Sequence, residues 1–88
     1  MYSYSLNRTN NFPNLLKKDL MGMSEVQLKN IAKKYYDFYS DLVNDKSDDV
    51  EYKNYKNLKK YDKELARISS IRSKIWEVMK KRKIECEY

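Results

Sequence analysis

Along the second half of the chain, Lys56, Lys60, Lys63, Arg67, Ser70, Lys74 and Lys81 follow one another at steps of 4, 3, 4, 3, 4 and 7 residues. On an α-helix, at about 100° per residue, these positions fall within an arc of roughly 80°. Asp62, Glu64 and Glu77 fall outside that arc. Solvated helix faces usually interleave both signs, because opposite charges three or four residues apart stabilise a helix and like charges repel. A row that accepts the repulsion, with cations about one helical turn apart, matches the spacing of successive phosphates. Tyr52 and Tyr55, near the start of the row, carry rings that stack on bases or pack at a core rim.

Other chemistries lack their residues. The chain has no histidine, one cysteine (Cys86), one glycine and one proline. An internal disulfide and a glycine-rich phosphate loop are therefore excluded, and the usual ligands of zinc and the usual bases of nucleophilic catalysis are lacking. The carboxylates sit among lysines on polar faces, the setting of solvated charges and not of tuned acids or bases. The expectation is a protein that is not an enzyme, with no catalytic residue, no metal, no cofactor and no small-molecule substrate. No run reaches the roughly 18 apolar residues that span a bilayer, and no secretory core is present, so a soluble intracellular protein is expected.

The charge is unevenly placed. Residues 1–49 carry seven basic and seven acidic side chains, whereas residues 50–88 carry twelve and six, so the whole net charge of +6 lies in the second half. That asymmetry points to a polyanionic partner for that half.

The elements that must hold the row are helices. With 88 residues the chain forms at most one small domain with a thin core. Residues 1–16 mix Ser, Asn and Tyr around Pro13 without periodicity and are expected to form an extended arm, lying on a partner or left over from an import sequence. In GMSEVQL, Ser24 is a good N-cap, Gln27 completes a capping box, and Met23 with Leu28 forms a hydrophobic staple. Leu28, Ile31, Ala32, Tyr35, Phe38 or Tyr39, and Leu42 then recur at helical spacing, predicting a helix over about 24–43. NDKSDD, residues 44–49, is expected to turn, with Asp48 or Asp49 capping a second helix over about 50–80. On that helix Leu58, Tyr61, Leu65, Ile68, Ile75 and Met79 form a seam widened by Ile71 and Val78. Arg72 is its polar intruder, its stem expected to cover apolar surface while the guanidinium reaches out. The predicted fold class is all-α, an antiparallel, coiled-coil-like two-helix hairpin over 17–80 with a basic-to-acidic tail, 81–88.

Such a hairpin has no helix-turn-helix element, no zinc site and no separate dimer zipper for reading a major groove, so shape and phosphate contacts to folded RNA fit better than DNA.

The residues resemble a known family. Asp19-Leu20, followed by Met23-Ser24-Glu25-Val26-Gln27-Leu28, is similar to the opening of ribosomal large-subunit protein twenty-nine, the small helical hairpin of bacteria and organelles. Phe38 stands near that family's aromatic position in the first helix. Leu58-Lys59-Lys60-Tyr61-Asp62-Lys63-Glu64-Leu65-Ala66-Arg67-Ile68 resembles its signature, in which basic residues lead into an aliphatic-Ala-Arg-aliphatic core. The resemblance covers about residues 17–79. It departs at Asp62 and Asp41, where cations are expected, and at Ser69, where lysine usually follows; those departures point to a diverged ribosome.

The resemblance implies a structural constituent of the large ribosomal subunit, binding its rRNA beside large-subunit protein twenty-three at the rim of the peptide exit tunnel. The location implied is an organellar (mitochondrial) ribosome or the bacterial cytoplasm. Arg67 corresponds to the signature arginine, and Lys59, Lys60 and Lys63 to the basic cluster before it. Lys56 and Lys74 rest on the helical arc alone. Ser70 and Lys81 share that arc, and Arg72 completes the candidate RNA-binding set. The competing reading is a small coiled-coil interaction module, an adaptor or antitoxin that pairs its seam with another chain.

Overall fold

The computed structural model describes residues 5–53 and 55–85. Every regular element among them is helical. A 3₁₀ turn, Ser5–Asn11, leads to a short helix α1 (Lys17–Met21), then to the two long helices α2 (Glu25–Glu51) and α3 (Leu58–Lys81), which a 3₁₀ turn, Tyr55–Asn57, joins. The long helices run antiparallel: Lys46 near the end of α2 pairs with Asp62 near the start of α3, and Arg82, just past α3, donates to the carbonyl of Met23 just before α2. The all-α hairpin read from the sequence is the observed architecture.

α2 begins where its chemistry requires. The Ser24 hydroxyl accepts from the Gln27 amide at 3.1 Å and the Ser24 amide donates to the Gln27 side-chain oxygen at 2.9 Å. This is a closed capping box, satisfying two otherwise orphaned donors. Met23 and Leu28, the staple pair, both join the core cluster.

The turn lies eight residues later than NDKSDD. Residues 44–49 remain helical, and two of their side chains find tertiary partners: Asp45 accepts from the Ser5 amide at 2.8 Å and Lys46 reaches Asp62. Neither Asp48 nor Asp49 caps α3, and Asn57 at its N-cap makes no side-chain cap bond. α3 is correspondingly shorter than the expected 50–80.

Both long helices stop at a left-handed lysine, Lys53 and Lys83, each with φ of 56°. After α3 the Ile84 amide donates to the Met79 carbonyl at 2.8 Å and the Lys83 amide to the Lys80 carbonyl at 3.1 Å. That is a Schellman closure, with Ile84 and Met79 supplying its buried apolar pair. The residues 81–85 are therefore an ordered end of the helix and not a free tail; 86–88, with Cys86, lie outside the described residues.

The core takes Leu28, Ala32, Tyr35, Phe38 and Leu42 from α2, with Tyr61, Ile68, Ile71, Ile75, Val78 and Met79 from α3. Ile31, Tyr39 and Leu65 are only partly buried against it, and Leu58 is half-buried at the start of α3. Three buried members come from outside the hairpin seam: Phe12, Leu20 and Ile84. Phe12 carries the main departure from the sequence reading. The segment expected to be an extended arm for a partner lies instead on its own hairpin, with the Phe12 ring stacked on Phe38 (centroids 3.9 Å apart, planes 2° from parallel) and edge-on to Tyr35 at 5.4 Å. Residues 1–4 lie outside the described part.

Candidate nucleic-acid interface

α3 positions the candidate cations, and the folded arm divides them. Lys56 is not on α3 at all; it sits in the preceding 3₁₀ turn, off the helical arc, though still exposed. Lys59, Lys60 and Lys63 are exposed on the first two turns of α3. Among the described residues none of these four ammonium groups has a carboxylate partner. Together with exposed Tyr55 and Tyr52 they form a compact cationic end of the molecule beside the interhelical turn.

Arg67 does something different. Its Nε and Nη2 donate to Glu64 at 3.0 and 2.8 Å, and its Nη1 donates to the Phe12 carbonyl at 2.8 Å and the Asn14 side-chain oxygen at 3.0 Å. A further contact from Nη2 reaches the Thr9 carbonyl at 3.5 Å. The guanidinium is a fork whose donors are committed to Glu64 and to the arm. Where the sequence suggests a phosphate contact, the Arg67 guanidinium here holds its own chain. Lys74 is likewise turned inward, half-buried with its ammonium 3.5 Å from the Leu15 carbonyl.

The remaining candidates separate in space. Ser70 is exposed but lies between the two arm-holding residues. The Arg72 guanidinium lies over the rings of Tyr39 and Tyr36, 5.0 and 5.2 Å from their centroids. Snorkelling therefore ends on two aromatic faces and not in open solvent. Lys81 is exposed at the far end of α3, about 27 Å along the helix from Lys63 at 1.5 Å per residue. A continuous stripe is thus reduced to one cluster, Lys56, Lys59, Lys60 and Lys63, with Lys81 remote from it.

The arm also builds a feature that spacing does not reveal. Between its 3₁₀ turn and the start of α3 lies a groove of about 370 Å³, lined by Leu6, Asn7, Thr9, Asn57, Lys60, Lys63 and Glu64. No sequence signal marks it, because its two walls are about fifty residues apart and meet only through the arm's docking.

Several carboxylates are paired within the fold. Asp41 pairs with Arg8 at 2.8 Å and Asp62 with Lys46, so both carboxylates are used inside the fold. Lys17 pairs with Glu77, and hydrogen bonding to that ammonium holds the Glu77 carboxyl below its ordinary range. Tyr35, whose hydroxyl donates to the Pro13 carbonyl at 2.7 Å, is pushed above its ordinary pKa by burial, a rise partly opposed by the Arg67 charge.

On the bare side of α3, Trp76 is 56% exposed. It opens onto a mainly apolar groove of about 490 Å³ with Ser73, Glu77, Lys80 and Ile84. No helix among the described residues is long and apolar enough to cross a membrane.

Fold and site together define an all-α helical hairpin with a docked arm and a cationic end. Comparison of the chain with protein-family models, with curated proteins and with solved structures finds no match.

Proposed function

We propose that this chain is an RNA-binding structural constituent of the large ribosomal subunit. In this reading it contacts rRNA through its cationic end, beside neighbouring ribosomal proteins such as protein twenty-three near the peptide exit tunnel, in an organellar or bacterial ribosome. The observation that carries the reading is the cluster of Lys56, Lys59, Lys60 and Lys63, exposed, mutually repulsive and without a carboxylate partner among the described residues. Four cations left bare within eight residues cost helix stability unless a polyanion meets them. The resemblance of residues 17–79 to ribosomal large-subunit protein twenty-nine supplies the identity of that polyanion. The signature arginine, Arg67, enters as a positioning residue that holds the arm against α3.

The test is affinity for a large-subunit rRNA fragment across a salt series. Four phosphate contacts release enough counterions for a log–log slope of roughly −3 to −4, and each Lys→Ala change in the cluster should make it shallower by about one. The wild-type chain should also co-sediment with large subunits through a moderate salt wash. Salt-insensitive binding shared by the wild type and a Lys56, Lys59, Lys60, Lys63 quadruple alanine variant would refute the RNA reading.

A second reading rests on Trp76. A tryptophan left half-exposed over an apolar groove is the kind of anchor that protein interfaces use, and in a protein-interaction module it would be the centre of the contact. Trp76→Ala would then abolish partner capture while the quadruple lysine variant retained it.

A further inference from the structure

The groove between the arm and α3 has a mixed lining, apolar at Leu6 and polar elsewhere. Among the described residues the side chains of Asn7, Thr9 and Asn57 make no hydrogen bond, and Lys60 and Lys63, which also line it, have no carboxylate partner. The one carboxylate on the wall, Glu64, is held by Arg67 through two bonds to the same oxygen. Its charge is therefore compensated and does not repel an anion from the groove. At about 370 Å³ the space falls within the range of small-molecule sites and suits one nucleotide unit better than an RNA duplex, whose stacked bases cannot enter it.

We infer that this groove takes a single unpaired nucleotide of RNA, its phosphate on Lys60 and Lys63 and its base or ribose hydrogen-bonded by Asn7, Thr9 and Asn57. Amide side chains offer both donors and acceptors, which is what a base edge or a 2′-hydroxyl requires. Tyr55, 57% exposed and two residues before Asn57, offers a ring on which a neighbouring base can stack. The arm is then more than a clasp over the core. It supplies one wall of the site, and Arg67 fixes that wall by holding the Phe12 carbonyl and the Asn14 side chain.

This inference rests on the RNA reading above but makes a separable demand: preference for single-stranded over paired RNA. The experiment is fluorescence anisotropy at one fixed ionic strength with two probes, a single-stranded RNA of about 12 nucleotides and the blunt duplex of the same sequence. The wild type should bind the single strand more tightly. The double variant Asn7→Ala, Asn57→Ala removes no charge and no helix cap, since Asn57 makes no side-chain cap bond. It should weaken single-strand binding roughly 3- to 10-fold while leaving duplex binding and the salt slope unchanged.

If the double variant, with wild-type helix content, keeps the full single-strand preference, the groove is not a nucleotide site. Equal binding of the two probes by the wild type also overturns it; in both cases phosphate contact through the lysines stands. Failure of the wild type to bind either probe overturns the groove and the RNA reading together.

Discussion

Replacing Arg67 with alanine tests the central structural claim, that this cation works inside the fold. The change removes two bonds to Glu64 and two close bonds to the arm, at Phe12 and Asn14. A charge-assisted hydrogen bond is worth about 1.5–3 kcal/mol on deletion, but four bonds on one guanidinium do not add, and Arg67 and Glu64 remain 25% and 18% exposed. Breaking a fully buried pair costs about 3–5 kcal/mol. Water reaching the stranded Glu64 and the freed arm carbonyl lowers that figure, so Arg67→Ala should destabilise by about 2–4 kcal/mol. For a chain of 88 residues, whose whole stability is on the order of 4–13 kcal/mol, that is a large share.

Urea unfolding followed by helical circular dichroism reads the global loss. Amide exchange at Phe12, whose N–H donates to the Thr9 carbonyl at 3.1 Å, reads the arm directly and should accelerate most. Arg67→Lys keeps the charge but not the fork and should recover less than half of the loss. Lys60→Ala, on the neighbouring turn, should stay within about 0.5 kcal/mol of the wild type. A loss below about 0.5 kcal/mol for Arg67→Ala, with Phe12 exchange unchanged, would refute the clamp and return Arg67 to the pool of free cations.

Three further outcomes are expected. Tyr35, with its pKa raised by burial above 10.0, contributes stability that is fully present below that ordinary value and lost as pH rises through the higher folded value; Tyr35→Phe should cost about 1 kcal/mol at neutral pH and remove that alkaline step from the difference between wild-type and variant unfolding curves. Ser24→Ala opens the capping box and should cost about 1 kcal/mol, seen as faster exchange of the Gln27 amide. Lys83→Gly relieves a left-handed backbone, φ 56°, and should raise stability by about 0.5–1 kcal/mol after the added freedom of the unfolded chain is subtracted, measured as an upward shift of the thermal midpoint.

What could be read from the sequence was local. The capping box lies within four residues, and the seams of α2 and α3 recur at a fixed period, so Leu28, Tyr35, Leu42, Ile68 and Ile75 declare themselves. The turn was misplaced because turn-forming residues at 44–49 obey a local preference that tertiary partners overrule: Ser5 on Asp45 and Asp62 on Lys46. The true stop comes at Lys53, where no glycine advertises a left-handed residue. The docked arm was illegible for another reason. Its acceptors for Arg67 and Lys74 include main-chain carbonyls of Phe12 and Leu15, and every residue type carries a carbonyl.

The arm accounts for part of the charge pattern. Its donors, the Ser5 amide and Arg8, face the carboxylates Asp45 and Asp41 of α2. Its carbonyls face the cations Arg67 and Lys74 of α3. Acceptors on α2 and donors on α3 are thus what an arm clamped between two helices needs. That account reaches no further than Lys74 on one side and Glu64 on the other. Among the described residues Lys56, Lys59, Lys60 and Lys63 have no carboxylate partner, and their mutual repulsion works against the helix that carries three of them. Arg67 and Lys74, by contrast, have partners inside the fold. Of the candidate cations that remain, Lys56, Lys59, Lys60 and Lys63 stand near the interhelical turn, and Lys81 lies at the far end of α3.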